Sequence, residues 1–333
     1  MQSTKIKIKI KMLASEKGNQ SDIVEFILLG LGNSVQLQFL LFLFFLLIYL
    51  VTITGNLLII ALVLADPCLH TPMYFFLGNL SCLETCYTSS ILPKMLSNLL
   101  TGKATITVSQ CLTQYYFFGS FATIETYLLA AMSYDRFLAI CRPFLYNLIM
   151  SRKLCVYLMA GSWLNGLVAN GITLFLLSRL SFCGPNVIDH YFCDLTPLEK
   201  LSCTDTSFLE LIVSLLSITD AVIPFILTST SYICIIFVII KIKSSTRRQK
   251  AFSNCSSHLM VVCLFYGTII IVYMLPDTPT LRHLNKFFSI FYTILTPLVN
   301  PIIYTLRNKD VHKALGWVQK KLRIFGRTYF FCL

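Results

Sequence analysis

Asp135 and Arg136 stand side by side at the end of a long apolar run, in MSYDRFLAIC, Met132 to Cys141. From Leu112 to Ala131 that run carries one acid, Glu125, and no base. An ionised side chain at a bilayer centre costs roughly 2.5–3.5 kcal/mol, so an Asp-Arg pair belongs at the interface, partnered and facing protein. A guanidinium there can exchange its acid for tyrosine hydroxyls or a partner's backbone carbonyls, the chemistry of a two-state switch. Glu84 and Glu125 are acids at mid-membrane depth on separate helices. A carboxyl at that depth needs a partner, and the plainest reading is two neutral groups hydrogen-bonded to Asn56 and Asn300. Asp220, four residues before Pro224, is a third. If it faces a pocket it favours a ligand amine or strong hydrogen-bond donor; otherwise it is a protonated Asp bonded within the bundle.

Thirteen cysteines are scattered with no C-x-x-C pair, which argues against a structural zinc site or a redox motif. Four of them fall at one end of the apolar runs: Cys111 opens the third run, and Cys183, Cys193 and Cys203 lie in a polar stretch. Four cysteines allow three pairings. His190 and Asp194 beside Cys193 admit a metal reading, but in an oxidising compartment thiols cross-link first.

The elements that position these groups are membrane helices. The chain has 333 residues, 56% of them hydrophobic and 13% charged, too apolar for a soluble domain. Apolar runs long enough to cross a ~30 Å hydrocarbon core occur at about 37–64, 72–96, 108–140, 155–178, 208–241, 251–275 and 285–306. The third can put Cys111 on one side and Arg136 on the other, because 25 residues of helix rise about 37 Å. The net charge of +12 sits in short segments between runs, which a cytoplasmic membrane face explains better than nucleic acid. Of the 27 Lys and Arg, 16 fall in the loops beside Arg136 and the C-terminal tail and 11 in the other loops and the N-terminal tail. The positive-inside rule therefore puts the C-terminus in the cytoplasm and the N-terminus outside.

This divides the chain into a tail over 1–36, a membrane domain over 37–306 and a cytoplasmic tail over 307–333. The last tail has an amphipathic pattern suited to a surface helix. The first opens with alternating Lys and Ile, Lys5 to Lys11, and carries Asn19-Gln20-Ser21, a glycosylation acceptor if outside. Asn79-Leu80-Ser81 and Asn254-Cys255-Ser256 match the same pattern but fall in a helix and on the inner face. No nucleophile-base constellation or metal-ligand cluster points to an enzyme, and no cofactor is expected. No internal repeat with paired helix breaks points to a transporter.

Several stretches, in order, carry a resemblance: Gly55-Asn56, HTPMYFFLGNLSCLE from His70, MSYDRFLAIC, Ser231-Tyr232, KAFSNCSSH from Lys250 and PLVNPIIYTLRN from Pro297. From about Gly18 to Leu315 the chain resembles the olfactory receptors of the rhodopsin-like (class A) G-protein-coupled branch. Departures are Ser133 where Ala is usual, Phe137-Leu138 for Tyr-Val, and Glu84 where Asp is commoner.

The resemblance implies a seven-transmembrane all-α bundle in the plasma membrane. It implies that a small volatile molecule binds within the bundle and that a stimulatory, olfactory-type heterotrimeric G protein is activated to raise cAMP. Membrane lipid and a trafficking chaperone are further implied partners, and nucleic acid is not. It implies disulfides Cys111–Cys193 and Cys183–Cys203, and a ligand site at Phe118, Ala122, Thr123, Asp220, Tyr266, Tyr273 and Thr293. The implied switch comprises Asp135, Arg136, Tyr232, Asn300, Pro301 and Tyr304. Asn56, Glu84 and Glu125 become a shared polar site for a cation or protons. Phe118, Ala122 and Glu125 share one face of the third helix by spacing. A receptor for a non-odorant metabolite, acting outside the nose, would have the same fold and switch.

Overall fold

The computed structural model describes residues 23–31, 34–183, 185–274, 286–307, 311 and 313–316, with the side chains of 250, 254, 273–274 and 304–307 left undescribed. Among these residues seven long helices carry the chain: α1 (Val35–Ala65), α2 (Pro72–Thr101), α3 (Val108–Cys141), α4 (Arg152–Leu177), α5 (Ser207–Lys241), α6 (Ser245–Met274) and α7 (286–307). This is the expected seven-helix bundle. α1, α4, α5 and stretches of α6 and α7 are long and apolar enough by composition to cross a membrane. α2 and α3 match them in length, at 30 and 34 residues, but carry more polar groups, and α3 packs against α2, α4, α5 and α6.

α1 shows what the surroundings are. It starts at Ser34, whose hydroxyl accepts the Leu37 N–H, and it is apolar all round. It buries one stripe, Phe45, Ile48, Thr52, Asn56, Ile59 and Leu62, and exposes Phe39, Leu40, Leu43, Phe44 and Leu47. Large apolar side chains on that scale outside a core mean lipid rather than water.

Helix ends follow local chemistry. Thr107 and Gln110 form a reciprocal capping box at the start of α3, and Pro143 follows its end. α2 runs five residues beyond the expected 96, to Thr101, where Gly102 at φ 68° turns the chain and donates to Asn98. α6 starts at Ser245, earlier than the apolar run, because its first turns are helical outside the apolar stretch.

α3 and α4 approach closely through glycines. A Cβ on Gly166 would lie 2.8 Å from the Ser120 carbonyl oxygen and 2.5 Å from Ile124, and backbone cannot move aside. Gly166→Ala is therefore expected to destabilise the bundle by about 1–3 kcal/mol. Gly161→Ala, whose Cβ meets nothing within 4 Å, should be neutral or better. Thermal unfolding of the purified protein compares them; equal midpoints would dismiss the contact.

A feature that the sequence reading missed closes one end. Strand β1 (Glu25–Leu28) pairs antiparallel with β2 (Thr105–Thr107) and parallel with β3 (Val187–Ile188), in the order β2-β1-β3. Phe26 and Leu28 point into a second core with Ile106, Cys111, Tyr115, Leu177, Ile188, Cys193, Leu198 and Leu209. The stretch assigned to a polar tail thus includes a buried strand. Lys5–Lys11 and Asn19 lie outside the described residues. Of the expected C-terminal surface helix, 311 and 313–316 are helical, with Val311 and Ala314 buried.

Candidate functional site

The strand end of the bundle is stapled. Cys111 and Cys193 are bonded, with Cα atoms 5.5 Å apart, and so are Cys183 and Cys203, at 5.9 Å. The first tie holds residues 190–193 down into the helices. Gln114 reinforces it: its Nε2 donates to Ser90 O at 3.0 Å and its Oε1 accepts the Cys193 N–H at 3.0 Å. Phe192 then meets Phe118 at 4.8 Å between ring centroids, and Phe118 also meets Tyr87 at 5.2 Å and Tyr292 at 6.1 Å. Tyr191 hydroxyl lies 2.8 Å from Thr293 Oγ1. The loop therefore brings Phe118 of α3 and Thr293 of α7 under one aromatic lid.

His190 packs in that lid, 4.5 Å from the Phe192 ring and edge-on to it. Burial, then the Lys286 ammonium, pull its imidazole down to about 3, with Asp189 opposing. Lys286 is itself held by Asp189 at 3.2 Å and by the Leu29 carbonyl. An undocked loop would protonate His190 near 6.5, so docking is at full strength above that pH and weakens as pH falls toward 3. At pH 5 the loss is about 2 kcal/mol. Amide exchange across 187–193, corrected for intrinsic rate, should rise on going from neutral to that acidity. His190→Phe should flatten the rise, and an unchanged rise in that variant would remove His190 as its source.

The other expected pocket residues divide. Ala122 is part-buried against the core, and Tyr266 is buried beside Phe225, with ring centroids 5.1 Å apart. Thr123 turns to α4, where its Oγ1 accepts from Asn170 Nδ2 at 3.1 Å. At about 100° per residue it lies about 140° around α3 from Phe118. Tyr273 lies on α6, with its side chain outside the described residues.

Asp220 sits in a π turn, Ile218–Val222, which breaks the backbone ladder of α5. Thr126 hydroxyl caps the Asp220 carbonyl at 2.7 Å and Tyr127 hydroxyl the Thr219 carbonyl at 2.8 Å. The Asp220 carboxylate accepts from Asn165 Nδ2 at 2.8 Å and from Tyr127 at 3.3 Å. Asp220 is thus committed to a seam between α3, α4 and α5. Neither Tyr127 nor Asn165 was among the expected residues; a wide turn has no signature in residue type.

Below the lid lie the buried acids. Glu84 and Glu125 are 1% and 0% exposed. Asn300 Nδ2 donates to Glu84 Oε1. Asn56 Nδ2 donates to Pro297 O at 3.3 Å and Thr52 O at 3.1 Å. The Pro297 carbonyl is open because its helical partner, Pro301, has no N–H. Gly55 makes the approach possible: a Cβ there would be 3.2 Å from Pro301 Cβ. Glu84 Oε2, both Glu125 oxygens, Asn56 Oδ1 and Asn300 Oδ1 have no hydrogen-bond partner among the described residues. These are five buried acceptors whose hydrogen-bonding capacity protons, water or a cation would fill.

At the far end of α3, Asp135 is fully buried and clasps Arg136, whose Nε donates at 2.9 Å. A second clasp comes from Tyr146 hydroxyl at 2.8 Å, on the short helix Pro143–Ile149. Burial, then the Asp135 charge, push the Tyr146 phenol up. Tyr232 of α5 instead bonds His258 Nδ1 of α6. Tyr146 and His258 extend the expected set, and the Tyr304 side chain lies outside the described residues.

A family model for the olfactory receptors matches residues 45–321. The chain is 48% identical over 297 residues to the rat olfactory receptor 1f45, covering 89% of this chain and 95% of that one. It is 43% identical over 313 residues to the human olfactory receptor 5G3, covering 94% of this chain and all of that one. Squid rhodopsin superposes with a TM-score of 0.66 at 14% identity, covering 87% of each chain, which speaks for the fold. A seven-helix chain with these motifs and these relatives belongs to the olfactory receptor family, a class of multi-pass plasma-membrane signalling receptors.

Proposed function

We propose that the protein is an odorant receptor. A small volatile molecule binds under the aromatic lid, and a stimulatory olfactory-type G protein is activated at the Arg136 end, raising cAMP. The lid end faces outward, the Arg136 end and C-terminus inward, and a trafficking chaperone assists delivery. The observation that carries this reading is α3 itself: one helix has Phe118 in a loop-covered aromatic cluster and the Asp135-Arg136 clasp 18 residues on. That spacing is about 27 Å of helix.

Phe118, Ala122, Tyr266, Tyr273 and Thr293 line the ligand region in this reading, giving apolar surface with a few hydroxyls for orientation. Thr123 and Asp220 frame it from the α4 side. Asn56, Glu84, Glu125 and Asn300 couple lid to clasp through a proton or cation, with Pro301 as the hinge. Tyr232 and Tyr304 take Arg136 when it leaves Asp135. Asp220→Asn keeps an acceptor for Tyr127 and Asn165, so the rank order of ligands should stay unchanged, with a stability loss of about 1 kcal/mol. A reordered ligand panel would instead place Asp220 in the pocket.

The test is a cAMP reporter in cells supplying the olfactory G protein and a trafficking chaperone, with an odorant panel and Arg136→Ala at matched surface level. An odorant response in the unmutated receptor alone supports the reading. A response that persists in Arg136→Ala would reject the switch, and surface receptor silent to every volatile but active to a metabolite would reject the odorant.

A further inference from the structure

We infer that the cleft between the ends of α5 and α6 holds the headgroup of a phosphomonoester-bearing anionic membrane lipid. The cleft measures about 400 Å³ and is lined by Ile239 of α5 and by Ser245, Arg248, Gln249 and Phe252 of α6. The cleft is open on one side, so it suits a group that stays tethered to the membrane surface. Its chemistry is split: Arg248 offers a planar fork suited to two phosphate oxygens, Gln249 and Ser245 offer an amide and a hydroxyl, and Ile239 and Phe252 are apolar.

The charge around the cleft has one sign. Lys241, Lys243 and Arg247 are exposed beside Arg248, and residues 221–276 contain no Asp or Glu. Among the described residues no carboxylate pairs with any of these four cations. A phosphomonoester, with more charge than a diester, gains most from Arg248 in the cleft and from Lys241, Lys243 and Arg247, all within seven residues of it in the chain.

An adjacent apolar stripe selects a lipid over a soluble phosphate. Ile233, Ile236, Phe237 and Ile240 are exposed on α5 at the spacing of a single helix face, and that stripe ends at Lys241. Acyl chains can lie along it while the headgroup sits in the cleft. An acidic protein segment would meet the cations and leave the stripe uncovered.

The inference uses the proposed topology only to assign the leaflet that supplies the lipid. Its test therefore reads binding, not signalling. Full-length receptor is placed in nanodiscs of phosphatidylcholine alone, or doped in both leaflets with phosphatidylinositol bisphosphate or a charge-matched amount of phosphatidylserine. Lipid retained on the protein is then measured by native mass spectrometry. Phosphatidylinositol bisphosphate should be retained at least about tenfold more tightly than phosphatidylserine, since each cation near the surface contributes about fivefold. The Arg247→Gln/Arg248→Gln receptor should lose about 20-fold, while Arg152→Gln/Lys153→Gln, which removes the same charge from another loop, should lose less than about twofold. Arg248→Lys keeps the charge and loses the fork, so an intermediate loss in a receptor with an unchanged unfolding midpoint guards against misfolding. Three results overturn the inference: equal retention of the two anionic lipids, equal loss in both double variants, or displacement by free inositol trisphosphate as effective as by a short-chain phosphoinositide.

Discussion

Cells making the Cys111→Ser receptor are expected to show more than about a tenfold drop in surface receptor at unchanged total protein. The Cys111–Cys193 bond closes a loop of 82 residues, and loops of that size give about 4–5 kcal/mol in the chain-entropy estimate. The bilayer already restrains the unfolded chain, which brings the expected loss nearer 2–4 kcal/mol. That is still a large part of a typical total of about 5–15 kcal/mol. Both cysteines are fully buried, so serine also leaves a hydroxyl without its partner beside Leu177 and Leu198. Loss of the bond frees Phe192 from Phe118 and the Cys193 amide from Gln114. Cys203→Ser should cost less, since Cys203 is exposed and its bond spans 20 residues. Flow cytometry of intact and permeabilised cells separates surface from total protein. Equal surface levels for Cys111→Ser and the unmutated receptor would defeat the argument.

Asp135→Asn is expected to raise cAMP in the absence of odorant by several-fold per surface receptor. The carboxylate accepts from Arg136 and Tyr146 with no exposure to solvent, and a charged acceptor contributes about 1.5–3 kcal/mol more than a bare contact. Asparagine keeps the shape and removes the charge that holds the guanidinium. If the clasped and released arrangements differ by a few kcal/mol, a shift of 1.4 kcal/mol raises the released population about tenfold until it saturates. Tyr146→Phe removes one neutral donor and should raise the signal less, and Arg136→Ala on top of Asp135→Asn should abolish it. Basal cAMP unchanged in Asp135→Asn at matched surface level would mean that the pair anchors the helix and does not gate it.

The helices were legible because membrane insertion writes itself into long stretches of composition. The expected spans 37–64 and 108–140 differ from α1 and α3 by two residues or fewer at each end. Groups whose partners lie far along the chain were harder to read. Asn56 lies against Glu84, and its Nδ2 also donates to Thr52 and to the carbonyl that Pro301 leaves open, the latter a contact that no spacing in the chain announces. For Asp220 the sequence leaves open a place facing a pocket and a place bonded within the bundle, and the π turn sets its carboxylate against Asn165 and Tyr127, partners that no spacing announces. Thr123 shares the stretch of Phe118 but faces Asn170. Tyr146 has only Pro143 ahead of it to hint at a short helix, and the reach to Asp135 comes from the fold. Strand β1 is four residues long, too short for a periodicity to stand out in EFIL.

The order of synthesis gives the small sheet a further meaning. Phe26 pairs with Ile106, and Ile27 with Val187, so the central strand emerges from the ribosome before either neighbour exists. One edge can pair with β2 only after α1 and α2 are made, and the other edge waits for the long loop that follows α4. An epitope tag at residue 1 would therefore report that the first helix entered the membrane. An antibody reading the zipped strands would report that the chain had been made and threaded as far as the long loop, and the lag between the two signals would time insertion of the first four helices in a living cell.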